Sequence, residues 1–124
     1  MEQQELNKVI GDEEPKKKEV LEPKKVKIVE VDFRDTKKGK ILTCKSKHPD
    51  KEENIKISSV AYLRDKQVVN TELWYTLDGK ENIQKGSALA TFMNKIGAKT
   101  IKEIEGKEVE TELDEEDWLC FKAY

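Results

Sequence analysis

Gly86-Ser-Ala-Leu-Ala-Thr-Phe-Met-Asn-Lys-Ile-Gly97 is the stretch that decides the fold, because it is the one long helix signalled in a chain that otherwise reads as strands. Leu89, Phe92, Met93 and Ile96 fall at i, i+3, i+4 and i+7 and make one apolar stripe. Ser87 stands where an N-cap belongs and Gly97 where a helix is closed in the left-handed region. A single helix set late into a run of strands predicts a small antiparallel β-barrel with a helix closing one end, an α+β chain that is mainly β.

Working outward, Val26 and Ile28 alternate in one phase, and Val29, Val31 and Phe33 in the other. Such a slip inside one strand is what a β-bulge produces, and first strands of small barrels need that bend. Lys37-Lys-Gly-Lys40 is a turn, Ile41–Ser46 a second strand, and His48–Asn54 a polar loop. Ile55, Ile57, Ser59, Ala61 and Leu63 are expected on one face of a third strand. Asp65 and Lys66 turn the chain into a further strand, Val68–Leu77, with Leu73, Tyr75 and Leu77 opposite Trp74 and Thr76, ended by the two-residue turn signal Asp78-Gly79. Beyond the helix, Thr100-Ile-Lys-Glu103 has capping-box form. Val109, Thr111 and Leu113, then Leu119, Phe121 and Ala123, alternate in two strands around the acidic turn Asp114–Asp117.

The chain has 124 residues, 40% of them charged and 35% apolar. That suits one compact core under a densely ionic surface. Residues 1–24 read as a charged, disordered tail, with a short helical turn around Leu6, Val9 and Ile10, and residues 25–124 as the barrel domain. No run of about 18 apolar residues is present to span a bilayer, and the polar start lacks a signal-peptide core, so a soluble, cytoplasmic protein without membrane association is expected. Cys44 and Cys120 lack metal-ligand spacing and are expected as buried free thiols. The formal net charge of −2 hides a polarity: Lys24–Lys51 carries ten bases against four acids, and Lys102–Asp117 nine acids against two bases. Sequence alone leaves open whether these segments neutralise one another or form two faces.

Several meandering strands, a helix and two closing strands resemble the OB-fold, a five-stranded barrel. Ile83-Gln-Lys-Gly-Ser-Ala-Leu-Ala, Gly106-Lys-Glu-Val and Phe121-Lys-Ala-Tyr124 are similar to small single-stranded DNA-binding OB proteins of archaea, their viruses or phages. The resemblance covers about Lys25 to Tyr124, with one strand, Val68–Leu77, beyond the five. It implies binding on the face of the second and third strands and the adjoining loops, to single-stranded DNA or, by the same chemistry, RNA. Binding of that kind needs cations along the phosphates and rings under the bases. The outward phase offers Lys45, Lys47, Lys56, Tyr62, Arg64 and Trp74, and the first turn Lys37, Lys38 and Lys40.

Other readings follow from the same residues. The acidic hairpin suits a protein-interaction module, an accessory subunit or a virus-encoded inhibitor docking on a host nucleoprotein complex. The closing strand, ending at Tyr124, offers an edge to a second copy and so a homodimer. His48 has no partner in a recognisable motif and is expected on the surface; Ser58-Ser59 has no nucleophile-elbow context; Asp114–Asp117 lacks calcium-loop spacing. No catalytic residues, metal or cofactor are therefore expected, and enzyme function is the minority reading.

Overall fold

The computed structural model describes residues 6–11 and 21–124; most of the expected tail lies outside them, and Leu6, Val9 and Ile10 are exposed. The described chain is mainly β with one α-helix. In order it forms β1 (Val26–Thr36), β2 (Gly39–Lys47), β3 (Ile55–Ile57), β4 (Ser59–Arg64) and β5 (Gln67–Glu72), then α1 (Ala88–Ile96), a 3₁₀ turn (Lys102–Ile104), β6 (Glu108–Val109), β7 (Thr111–Leu113) and β8 (Leu119–Ala123). Two four-stranded sheets result, ordered β3-β2-β1-β6 and β5-β4-β8-β7.

The sheets are joined by strands that pass from one to the other. β3 runs into β4 through Ser58, whose carbonyl accepts from Leu73 N at 2.8 Å, and β6 into β7 through Glu110, whose carbonyl accepts from Lys122 N at 2.9 Å. Pairing therefore runs round a ring: β1 with β2, β2 with β3, β4 with β8 in parallel, β8 with β7, and β6 back to β1. The terminal strand β8 is paired on both sides, so the edge expected to recruit a second copy is occupied; the outer strands of its sheet are β5 and β7.

Two phase slips shape the ring. The expected bulge in β1 is present, the register shifting between Ile28 and Glu30, so Val29 is turned out while Val26 and Ile28 are buried. A second slip lies at Ser58. Ile57 is buried before it and Val60 and Tyr62 after it, all within the core, while Leu63 is exposed. The expected single face over Ile55–Leu63 is thus broken.

The strand expected over Val68–Leu77 ends at Glu72. Leu73 N then donates to Ser58 O, Leu42 N to Leu73 O and Tyr75 N to Lys40 O, each at 2.8 Å, so this segment fills the gap between β2 and β4. Asp65 and Lys66 both take positive φ, 51° and 68°, as a two-residue hairpin turn requires. Asp78 begins a wider loop: its Oδ1 accepts from Lys80 N at 2.8 Å and Asn82 N at 3.0 Å, and Leu77 faces Ile83.

Helix α1 forms as its pattern predicts. Ser87 Oγ accepts from Ala90 N at 3.1 Å. Gly97 sits at φ 77°, with its N–H directed to Asn94 O, while Ala98 N donates to Met93 O, the paired bonds of a Schellman close. The buried stripe of Leu89, Phe92 and Met93 packs on β4 and β8, and Phe92 stacks on Phe121 with ring centroids 4.8 Å apart.

His48 does not take its expected place on the surface. It is fully buried, with Nδ1 accepting from Asp50 N at 3.0 Å and Nε2 lying 2.7 Å from Glu22 O. Those partners select the neutral Nε2–H tautomer, since one nitrogen faces a donor and the other a carbonyl. With Thr111 Oγ1 donating to Lys24 O at 2.7 Å and Lys24 Nζ 2.8 Å from Asp50, it holds residues 22–24 against the barrel. The Lys24 ammonium keeps the Asp50 carboxyl below its ordinary range. A loop histidine beside proline carries no sequence sign of such burial.

Cys44 and Cys120 are free and buried. Burial pushes the Cys44 thiol up to about 12 and the Cys120 thiol to about 11, so almost no thiolate exists at pH 8. Native protein should therefore leave both thiols unlabelled by a thiol-exchange reagent at pH 8 until denaturant exposes two equivalents; rapid native labelling would contradict the packing. Phe92→Ala should cost about 3–5 kcal/mol, read as a fall in the urea midpoint.

Candidate nucleic-acid interface

After the bulge, one phase of β1 is Glu30, Asp32 and Arg34; the matching phase of β2 is Ile41, Thr43, Lys45 and Lys47, of which Ile41 is buried. Register sets them in rows across the sheet: Glu30 beside Lys45 beside Lys56, Asp32 beside Thr43, and Arg34 beside Ile41 beside Trp74. The first two rows and Arg34 of the third floor a groove of about 660 Å³ lined by Glu30, Asp32, Phe33, Arg34, Thr43, Lys45, Lys56 and Ser58; Ile41 and Trp74 lie outside it. Three cations and two carboxylates face it.

Two pairs of like charges stand directly across neighbouring strands. Lys45 is opposite Lys56, and Lys27 opposite Lys47. Such pairs are mildly unfavourable to the sheet, and an anion lying between them relieves the repulsion. Lys45 Nζ lies 3.7 Å from Glu30, and Arg34 Nη2 3.5 Å from Glu72, each partner being about half exposed. Pairs this exposed contribute about 0–1 kcal/mol, so they hold the cations only weakly.

The nine expected residues are distributed unevenly. Lys45 and Lys56 face the groove. Lys47 continues the same outward row, but its ammonium donates to the carbonyls of Lys51 and Glu52 and so ties down the polar loop. Lys37 and Lys38 form the exposed tip of the β1–β2 hairpin, and Lys40 lies opposite Asp35 in the other phase. Trp74 is half-buried, its ring over Gly39, where an added Cβ would lie 3.9 Å from ring carbons. Arg64 is exposed at the tip of the β4–β5 hairpin, opposite Gln67, and lines none of this groove. Tyr62 was expected to face outward and does not: at 7% exposure it belongs to the core, because the slip at Ser58 reverses the phase of β4.

Several residues of the face were missed. Glu30, Asp32 and Arg34 could have been found by carrying the bulge forward, since alternation with Val31 and Phe33 places them outward. Phe33 packs on Tyr75, ring centroids 4.8 Å apart, near the hairpin end. Trp118 is 59% exposed and lines a smaller groove of about 180 Å³ with Leu21, Lys51, Ile55 and Lys56. Only the ring brings β8 beside β3, so no sequence signal placed Trp118 next to these lysines.

Among the described residues, no ion pair joins the basic segment Lys24–Lys51 to the acidic segment Lys102–Asp117. The acids Glu112, Asp114, Glu115 and Glu116 line a groove on the second sheet. Among the described residues no group of three or more His, Cys, Asp or Glu side chains is placed to hold a metal ion, and no helix is long and apolar enough to cross a membrane.

Compared with known proteins, the chain matches no family model, no curated protein and no solved structure.

Proposed function

We propose that the chain binds single-stranded nucleic acid, DNA first, along the outer face of the β3-β2-β1-β6 sheet. The observation that carries the reading is the cross-strand pair Lys45 and Lys56 on the floor of an open groove. Like charges there weaken the sheet, and a polyanion lying over them relieves the repulsion. Lys27 extends the cationic track, and Lys37 and Lys38 stand at the hairpin end. Trp74 and Trp118 supply rings on which bases stack, at roughly 1–3 kcal/mol per base. Glu30 and Asp32 hold the affinity down and make it steeply dependent on which cations are free.

The architecture supports this reading by fold-level analogy. Counting β3 with β4 and β6 with β7 as single bent strands, three successive strands are followed by a fourth that returns, after the helix, beside the first. That is a Greek-key order, and a five-stranded Greek-key barrel with its helix between the third and fourth strands is OB-like. OB barrels bind oligonucleotides on the face of strands two and three, here β2 and β3. The hairpin strand β5 is an addition to that plan.

The test is a fluorescence titration with a single-stranded oligonucleotide at several salt concentrations, beside a duplex and an RNA of the same sequence. Engagement of three or four lysines predicts a log–log salt slope of about −2 to −3. Lys45→Gln combined with Lys56→Gln, which removes both cations without creating a new like-charge row, should weaken binding about tenfold with no loss of melting temperature. Unchanged affinity in that folded variant overturns the reading. Trp74→Ala should cost about 1–3 kcal/mol of binding. Tyr62→Ala should instead lower stability by several kcal/mol, about 3–5 for a buried aromatic, with the affinity of the folded fraction unchanged.

A further inference from the structure

The smaller groove lies at the seam between the two sheets. It holds about 180 Å³, and Leu21, Lys51, Ile55, Lys56, Asp117 and Trp118 are among the residues that line it. Lys56 also lines the larger groove, so the two sites share one cation.

Local bonds fix the walls of the seam groove. Asp114 Oδ1 accepts from Glu116 N at 2.9 Å and from Trp118 N at 3.0 Å, and Asp114 N donates to Trp118 O at 2.9 Å. Within that closed turn Asp117 takes a φ of 64°, a left-handed conformation that aspartate tolerates better than most residues. The turn therefore sets a carboxylate and an exposed indole on one groove. Leu21 is placed by the next residue, Glu22, whose carbonyl lies 2.7 Å from His48 Nε2.

The lining is selective in its chemistry. The volume is below the roughly 300 Å³ of sites for drug-sized ligands, which limits the occupant to one ring system. Trp118 offers a stacking face, with aliphatic Leu21 and Ile55 beside it. Among the described residues, Lys51, Lys56 and Asp117 have no ion-pair partner. Two ammonium groups beside an indole suit the phosphates and base of a nucleotide. A carboxylate repels phosphate and only accepts hydrogen bonds, so Asp117 addresses the edge of the base. Guanine alone among the bases presents two adjacent donors, N1–H and N2–H, on its Watson–Crick edge, and these match the two oxygens of a carboxylate. Adenine and cytosine set an amino group beside an acceptor nitrogen. Thymine and uracil flank their one N–H with carbonyl oxygens, which a carboxylate opposes.

We infer that the seam groove takes one guanine base of a bound single strand. The ring stacks on Trp118, N1–H and N2–H donate to Asp117, and the flanking phosphates lie against Lys51 and Lys56, from which the strand passes into the larger groove. This rests on the strand binding proposed above and adds to it a preference at one position.

The experiment compares a short thymine-only strand with the same strand carrying one central guanine, adenine, cytosine or hypoxanthine. Guanine should tighten binding about tenfold; the other three, including hypoxanthine, which lacks the N2 amino group, should do so far less. Asp117→Asn should abolish the guanine increment and leave thymine-only binding unchanged, since asparagine also tolerates the left-handed turn and the variant keeps its fold. Trp118→Ala should abolish the increment as well. Equal affinity for all the substituted strands, or a guanine increment that survives Asp117→Asn, overturns the inference while the proposed function stands. If no strand binds, the proposed function fails, and guanosine monophosphate still tests the groove. At millimolar concentration it should shift the indole N–H resonance of Trp118 and not that of Trp74, while thymidine monophosphate shifts neither. Absence of that selective shift overturns the groove assignment too.

Discussion

Five strands close a ring only if they bend, because each must pair with one neighbour near one end and another near the other. Here the bends sit at Val29, Ser58 and Glu110. Closure is completed by β8, which lies parallel to β4 and antiparallel to β7. Everything else hangs on this constraint. The bends decide which side chains enter the core, and the closed ring leaves a space that α1 fills with Leu89, Phe92 and Met93. A seam between the sheets also puts Trp118 beside Lys56.

The same geometry separates charge. Basic residues gather on β1, β2 and β3, which share one sheet, and the acids of β7 and its turn belong to the other. A barrel this small has an interior filled by side chains, so charges on opposite sheets are held apart by the core. The near-neutral whole is then two faces of different sign. On the cationic face Lys45 stands opposite both Lys56 and Glu30, so repulsion and attraction act on one side chain. The acidic face keeps a buried carboxylate oxygen without a donor among the described residues.

The polar contacts at the start of the barrel show how a small domain recruits an irregular segment. His48, Thr111 and Asp50 come from the loop after β2 and from β7, and each bonds the segment just before β1. Their partners are mostly backbone carbonyls, which have no residue identity. Nothing in the side-chain sequence of residues 22–24 announces them.

By itself the sequence determined the elements whose signals are local. The helix with its Ser87 and Gly97 caps, the bulge in β1, the Asp65-Lys66 hairpin, the Thr100–Glu103 cap and the alternation of Val109, Thr111 and Leu113 all follow from spacing and backbone preference within a few residues. The bulge was legible because apolar residues occupy only one phase on each side of it. The slip at Ser58 was not, because Val60, Ala61, Tyr62 and Leu63 are apolar in both phases, and alternation cannot choose between them. Only the tertiary structure chose, by turning Val60 and Tyr62 toward the helix and leaving Leu63 outside. It alone also paired Lys45 with Lys56, buried His48 and enclosed β8 on both sides. Those outcomes rest on contacts between residues far apart in the chain, and the energy that selects them exists only once the ring is closed.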